Sequence, residues 1–198
     1  MTAIHVCPLS RLAETVSATG ARDVLTLATV GSAVTRPDGI APDRHCIIGV
    51  SDIAAPLEGH VLPAEAHVRR ILDVAEGWDR AAPLVIHCYA GIGRSTAAAF
   101  IAVCALDPTR DERDVARALR SASPSATPNP RLVAVADAML EREGRMVAAV
   151  AEIGRGEEAF EGTPFRLELL SSASQSPRDE CGANDATDAD SPQGSGPR

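Results

Sequence analysis

Residues 84–106 read LVIHCYAGIGRSTAAAFIAVCAL, and the order of residue types in this stretch decides the fold. Leu84, Val85 and Ile86 follow Pro83 as a short, wholly apolar run, the pattern of a strand buried on both faces inside a sheet. Two glycines, Gly91 and Gly93, then mark a tight turn, and the alanine-rich stretch from Arg94 to Leu106 predicts a helix. A central strand running straight into a glycine turn and a helix is the mark of an α/β sheet with a loop of backbone amides at its edge.

The flanking sequence alternates in the same way. Residues 4–9 (IHVCPL), 24–29 (VLTLAT) and 45–50 (HCIIGV) predict strands. Ser10 is placed to cap a helix over 10–19 that Gly20 ends, and residues 31–42 predict a loop. Over 63–77, Ala66, Val68, Ile71, Leu72 and Ala75 form a helical stripe behind Pro63. Helices are expected over 111–121 and, as one long element, over 131–153. The expectation is a three-layer α/β domain with a central mixed, mostly parallel sheet flanked by helices and a helical C-terminal half. It spans residues 1–165. Residues 166–198 are polar, acidic and rich in Ser, Pro and Gly, a composition expected to remain disordered.

Composition excludes several function classes. The chain has 198 residues with 19 basic and 27 acidic side chains, a net charge of −8, and every basic residue is arginine. Without lysine there is no Schiff-base chemistry and no Walker-type phosphate lysine, so GIGRST is not a nucleotide-binding loop. The acidic balance argues against nucleic-acid binding. No run approaches the length of a spanning helix, and the first residues lack the pattern of a signal peptide, so no membrane association is expected. The five cysteines (Cys7, Cys46, Cys88, Cys104 and Cys181) form no CxxC pair. They predict neither a metal site nor a disulfide framework, and they favour a cytoplasmic location.

The chemistry converges on the turn after the central strand. Successive amides of Tyr89, Ala90, Gly91, Ile92, Gly93 and Arg94 would form an anion nest, reinforced by the N-terminus of the following helix. A thiol at the floor of such a nest, Cys88, is favoured as the thiolate, and the nest suits the oxygens of a phosphate. Arg94 offers a bidentate fork to two of those oxygens, and Ser95 places a hydroxyl near the sulfur. A nucleophile of this kind needs a proton donor. Asp52, just past the strand over 45–50, is the candidate, with Asp43 and Glu58 as competing acids. Neither metal nor cofactor is required, because amides and arginine neutralise the charge.

The nonapeptide HCYAGIGRS (residues 87–95) resembles the HCxxGxxR[ST] signature of the cysteine-dependent protein tyrosine phosphatase superfamily, especially its small dual-specificity-like and bacterial members. The resemblance covers about residues 45–135. It implies Cys88 as nucleophile, Arg94 as phosphate ligand, Ser95 as an aid to breakdown of a phosphocysteine, and Asp52 as general acid. PNPR (128–131) is similar to the segment that packs on the phosphate loop in small members, which makes Asn129 either a brace for the nest or a plain turn residue. His87 is expected to brace the loop from behind, and Arg131 to start a helix or meet substrate at the rim. Cys46 is a packed thiol or a redox partner for Cys88.

The chain departs from the family pattern in having no Trp-Pro-Asp acid loop, no glutamine before Gln175 and no tyrosine other than Tyr89. The expected substrate is a phosphorylated protein or a small phosphoester. The alternatives are a phosphoprotein-binding module with weak catalysis and a phosphatase of small-molecule or lipid phosphoesters. The sequence carries no signal for oligomeric state.

Overall fold

The computed structural model describes residues 3–169. Five strands form one sheet: β1 (Ala3–Pro8), β2 (Asp23–Ala28), β3 (His45–Gly49), β4 (Leu84–Cys88) and β5 (Phe165–Glu168), in the order β3-β2-β4-β1-β5. The first four run parallel, with Val24 facing His45 and Val85, and Val6 facing Ile86. β5 pairs antiparallel with β1, Leu167 opposite Ile4. Every residue of β4 is buried, as its apolar run requires.

Helices cover both faces. α1 (Leu12–Thr19) packs with Cys7, Val24, Val85 and Ile40 on one side. α2 (Glu65–Gly77), α3 (Arg94–Leu106), α4 (Glu112–Ala122), α5 (Pro130–Met139) and α6 (Arg145–Ile153) share the main core with Ile4, Leu25 and Ile86. α3 is buried from Arg94 to Cys104, and its run of alanines lets it lie close against the sheet while other helices pack around it. The three-layer α/β class, with its mostly parallel mixed sheet, is as expected. Among the described residues no helix is long and apolar enough to cross a membrane.

Three local expectations are corrected. Residues 131–153 are two helices, because Glu141, Glu143 and Gly144 adopt positive φ. The buried Asp137 carboxylate accepts from the amides of Gly144 (2.6 Å) and Met146 (2.8 Å), closing the turn and capping α6. Ser10 does not cap α1: it lies in a 3-10 turn, and its hydroxyl donates to Glu161 at 2.8 Å. Strand β5 also carries the folded chain past residue 165, with Leu167 buried against the core. The remaining tail expectation, with Cys181, lies outside the described residues.

Candidate active site

All four parallel strands end on one edge of the sheet, where ligands of open α/β folds bind. Cys88, the last residue of β4, is 2% exposed. Its Sγ accepts from the Gly91 amide (3.3 Å) and lies 3.1 Å from Ser95 Oγ. The loop around it is held from outside by its carbonyls. Leu9 N donates to Tyr89 O (3.1 Å), Gly162 N to Ala90 O (2.8 Å), Thr127 N to Ile92 O (3.0 Å) and Asn129 N to Gly93 O (3.2 Å). In a trans peptide the carbonyl and the following amide point in opposite directions. Pinning these carbonyls outward therefore turns the amides of Ala90, Gly91, Gly93 and Arg94 inward, over the sulfur. The shape of the loop is thus set by the segments around it.

The two glycines are needed for different reasons. Gly91 has φ +71°, and a Cβ there would stand 2.7 Å from Pro8 N, so the loop rests directly on the end of β1. Gly93 has an ordinary φ of −97°, but a Cβ there would stand 2.1 Å from Asp52 Oδ2. The space above Gly93 belongs to a carboxylate.

That carboxylate is fixed from two sides. Ser51 N donates to Val61 O (2.9 Å) and Val61 N to Ser51 Oγ (3.1 Å), closing the loop that carries Asp52. Asn129 Nδ2 donates to Asp52 Oδ1 at 2.7 Å, while Asn129 Oδ1 accepts from the amides of Arg131 and Leu132 as the cap of α5. Asn129 thus braces the nest through its backbone, orients Asp52 through its amide and starts a helix. Neither competing acid lines a cavity beside the loop. Asp43 sits in the turn Pro42–Arg44 before β3, at the other end of the sheet. Glu58 is solvent-exposed in the loop beyond Asp52.

Arg94 is buried. Its Nη1 donates to Val50 O (2.9 Å) and Thr29 Oγ1 (3.4 Å), and its Nε stands 3.9 Å from Asp52 Oδ2. The Nε has no hydrogen-bond partner despite its burial. A buried charged donor without an acceptor is costly unless an anion is meant to meet it.

His87 lies on the sheet face opposite the main core, with Nε2 2.6 Å from Thr26 Oγ1, which is itself 2.8 Å from His45 Nε2. Burial lowers the His87 pKa to about 4, with the main chain of Cys88 acting in the opposite sense, so the ring is neutral near pH 7. Burial likewise raises the thiols of Cys7 and Cys104, to about 11 and about 12.

Other sequence expectations resolve differently. Cys46 is no neighbour of Cys88: it lies on the edge strand β3, two strands from β4, and its sulfur accepts from Arg70 at 3.3 Å. The cysteine on an adjacent strand is Cys7, paired with His87. Arg131 donates to Pro63 O (3.3 Å) at the start of α5. Tyr89 contributes main chain to the loop, and its ring is exposed. Sequence reasoning missed Thr29 and the segment 154–164, which packs against the loop through Gly162; neither carries a recognisable motif. A cavity of about 750 Å³ opens between Asp52, Gly93 and that segment. A second, of about 250 Å³, opens on the other side, beside Cys88, Arg94 and Thr29.

No protein-family model matches the sequence, and no curated protein does. Solved structures do match. Human DUSP28 superposes with a TM-score of 0.55 at 18% identity, covering 71% of this chain and 92% of that one. DUSP15 gives 0.56 at 15%, covering 77% and 94%. The human tyrosine phosphatase-like serine/threonine/tyrosine-interacting protein gives 0.55 at 13%, covering 72% and 97%. The fold is that of the dual-specificity and tyrosine phosphatases. At such identities the likeness is one of architecture, and the chemistry rests on the residues of this chain.

Proposed function

We propose that this chain is a cysteine-dependent protein tyrosine or dual-specificity phosphatase. One arrangement supports the reading: the carbonyls of the loop are held by neighbouring segments, the Gly91 amide donates to Cys88 Sγ, and the buried Arg94 lines the same cavity as Cys88. A phosphate monoester dianion fits such a nest through amides and guanidinium together. Cys88 Sγ then attacks phosphorus in line. The P–S bond forms as the P–O bond to the leaving group breaks, and Asp52 gives its proton to the departing oxygen. Water, losing a proton to Asp52, next attacks the phosphocysteine. The thiolate leaves towards Ser95 Oγ, 3.1 Å away, and inorganic phosphate departs. Positive charge for both steps comes from Arg94 and the amides, so the reaction needs no metal ion. The substrate class proposed is phosphotyrosine in proteins, and five cysteines without a CxxC pair favour a reducing compartment such as the cytoplasm.

The test is hydrolysis of p-nitrophenyl phosphate with and without chelator, wild type beside Cys88→Ser. Chelator should leave turnover unchanged, and the serine variant should lose it. Equal rates in the two proteins would remove Cys88 from the mechanism. Phosphopeptide binding by wild type without phosphate release would point to a binding module instead.

A further inference from the structure

If the proposed function is right, the site also states where the organic part of the substrate must lie. In-line attack puts the leaving oxygen opposite Cys88 Sγ, and it must meet Asp52 to be protonated. Of the two cavities beside the loop, Cys88 and Arg94 line the smaller and Asp52 only the larger, so a leaving group directed from the phosphate to Asp52 would extend towards the larger. The far wall of that cavity is the segment between α6 and β5, and Phe160 on that wall is 85% exposed.

This wall is fixed at both ends. Gly156 N donates to Thr127 Oγ1 (3.1 Å) and Glu157 N to Pro124 O (2.9 Å). Beyond it, Glu161 accepts from Ser10, and Gly162 N donates to Ala90 O in the phosphate loop itself. A Cβ at Gly156 would stand 2.5 Å from the Ser125 carbonyl carbon, so the close approach depends on glycine. Residues 158–160 bridge the two anchors. They present Phe160 together with Glu158 to the cavity, with Glu157 beside them. Arg155 pairs with Glu158 at 3.8 Å, leaving the wall with a surplus of negative charge.

We propose that Phe160 is a specificity-determining residue, an aromatic platform against which the ring of a phosphotyrosine packs. Glu157 and Glu158 hold acidic flanking sequence away. The preferred substrate is thus phosphotyrosine flanked by neutral or basic residues. Among the described residues, Phe160 is the one aromatic side chain lining the cavity that Asp52 faces.

The experiment compares wild type, Phe160→Ala and Phe160→Tyr on phosphotyrosine peptides with neutral and with acidic flanks, using inhibition by inorganic phosphate as a control without an organic part. Phe160→Ala should raise KM for the neutral peptide about 3- to 10-fold with little change in kcat, the range expected for one lost aromatic contact. Phe160→Tyr should restore it, and the inhibition constant for phosphate should not move. Glu157→Gln combined with Glu158→Gln should narrow the gap between the two peptides. An unchanged KM in Phe160→Ala would overturn the platform while leaving the phosphatase reading intact. A wild type that hydrolyses no phosphoester would overturn the proposed function. Peptide affinity measured on Cys88→Ser, with and without Phe160→Ala, would then decide the platform alone.

Discussion

If Asp52 is the general acid proposed above, replacing Gly93 by alanine should disable it without altering its own side chain. The backbone there, at φ −97° and ψ −78°, lies at the border of the right-handed helical region and not at positive φ, so an alanine meets no left-handed strain. The new methyl would lie 2.1 Å from Asp52 Oδ2 and 2.8 Å from its Cγ, more than 1 Å inside ordinary contact. Either the loop or the carboxylate must give way. The loop is held by the four outward carbonyls, whereas the Asp52 side chain is 41% exposed and has room to swing. The carboxylate is therefore expelled and its bond to Asn129 lost. A positioned general acid contributes roughly 10²- to 10⁴-fold, or about 3–5 kcal/mol of barrier. That loss should appear with an alkyl phosphate, whose leaving oxygen needs the proton. It should shrink to less than about 10-fold with p-nitrophenyl phosphate, whose phenolate departs unaided. The assay is kcat/KM over a series of leaving groups for wild type, Gly93→Ala, Asp52→Ala and the double variant. The double variant should match Asp52→Ala, because both changes remove one group. An equal loss across all leaving groups would mean that the methyl damages the phosphate loop, and the steric reasoning would be refuted.

Two further outcomes concern stability. His87 has a folded pKa of about 4 against an ordinary 6.5, so the unfolded chain takes up a proton first as pH falls. Its contribution is whole above pH 6.5 and is lost from there down towards about 4. The full shift corresponds to about 3 kcal/mol. Urea midpoints from pH 8 to 5 should fall steeply for wild type and less for His87→Asn, and parallel slopes would contradict the assignment. The buried Glu112 carboxylate sits between Arg142 (3.2 Å) and Arg145 (3.3 Å). Glu112→Ala leaves the buried Arg142 charge without a carboxylate, with only the carbonyls of Pro108 and Cys104 to accept from it, and should cost about 3 kcal/mol in chemical denaturation, with the leaving-group dependence of kcat/KM unaltered. A loss below about 1 kcal/mol would show that the pair contributes little.

Much of this site is legible in the sequence because it is local. Cys88, the glycines, Arg94 and Ser95 lie on one turn between a strand and a helix, and their geometry follows from that turn. Local too are the bounds of α3 and the stop at Gly20. What sequence could not resolve is what other parts of the chain do to the turn. Gly93 reads as a flexible residue, but it is small because a carboxylate from another loop sits above it. Asn129 reads as a turn residue or a brace for the nest, yet it also caps α5 and its amide reaches Asp52. The break between α5 and α6 depends on Asp137 reaching across a turn whose polar residues still fit helical spacing. β5 is four residues long and offers one buried leucine, too little pattern to stand out beside a polar tail. The wall at 154–164 has no periodicity at all.

Strand β1 supports the site twice. Its end bears on the phosphate loop at Gly91, and its outer edge carries β5, the anchor that follows the wall. A shortened chain ending near residue 165, where composition alone draws the domain's edge, would keep Cys88, Arg94, Asp52 and both anchors of the wall. It would lose Leu167 from the main core and leave the outer edge of β1 without its partner, so the damage falls on the fold before it reaches the site. The safe place to trim this protein is therefore set by one buried leucine and not by composition.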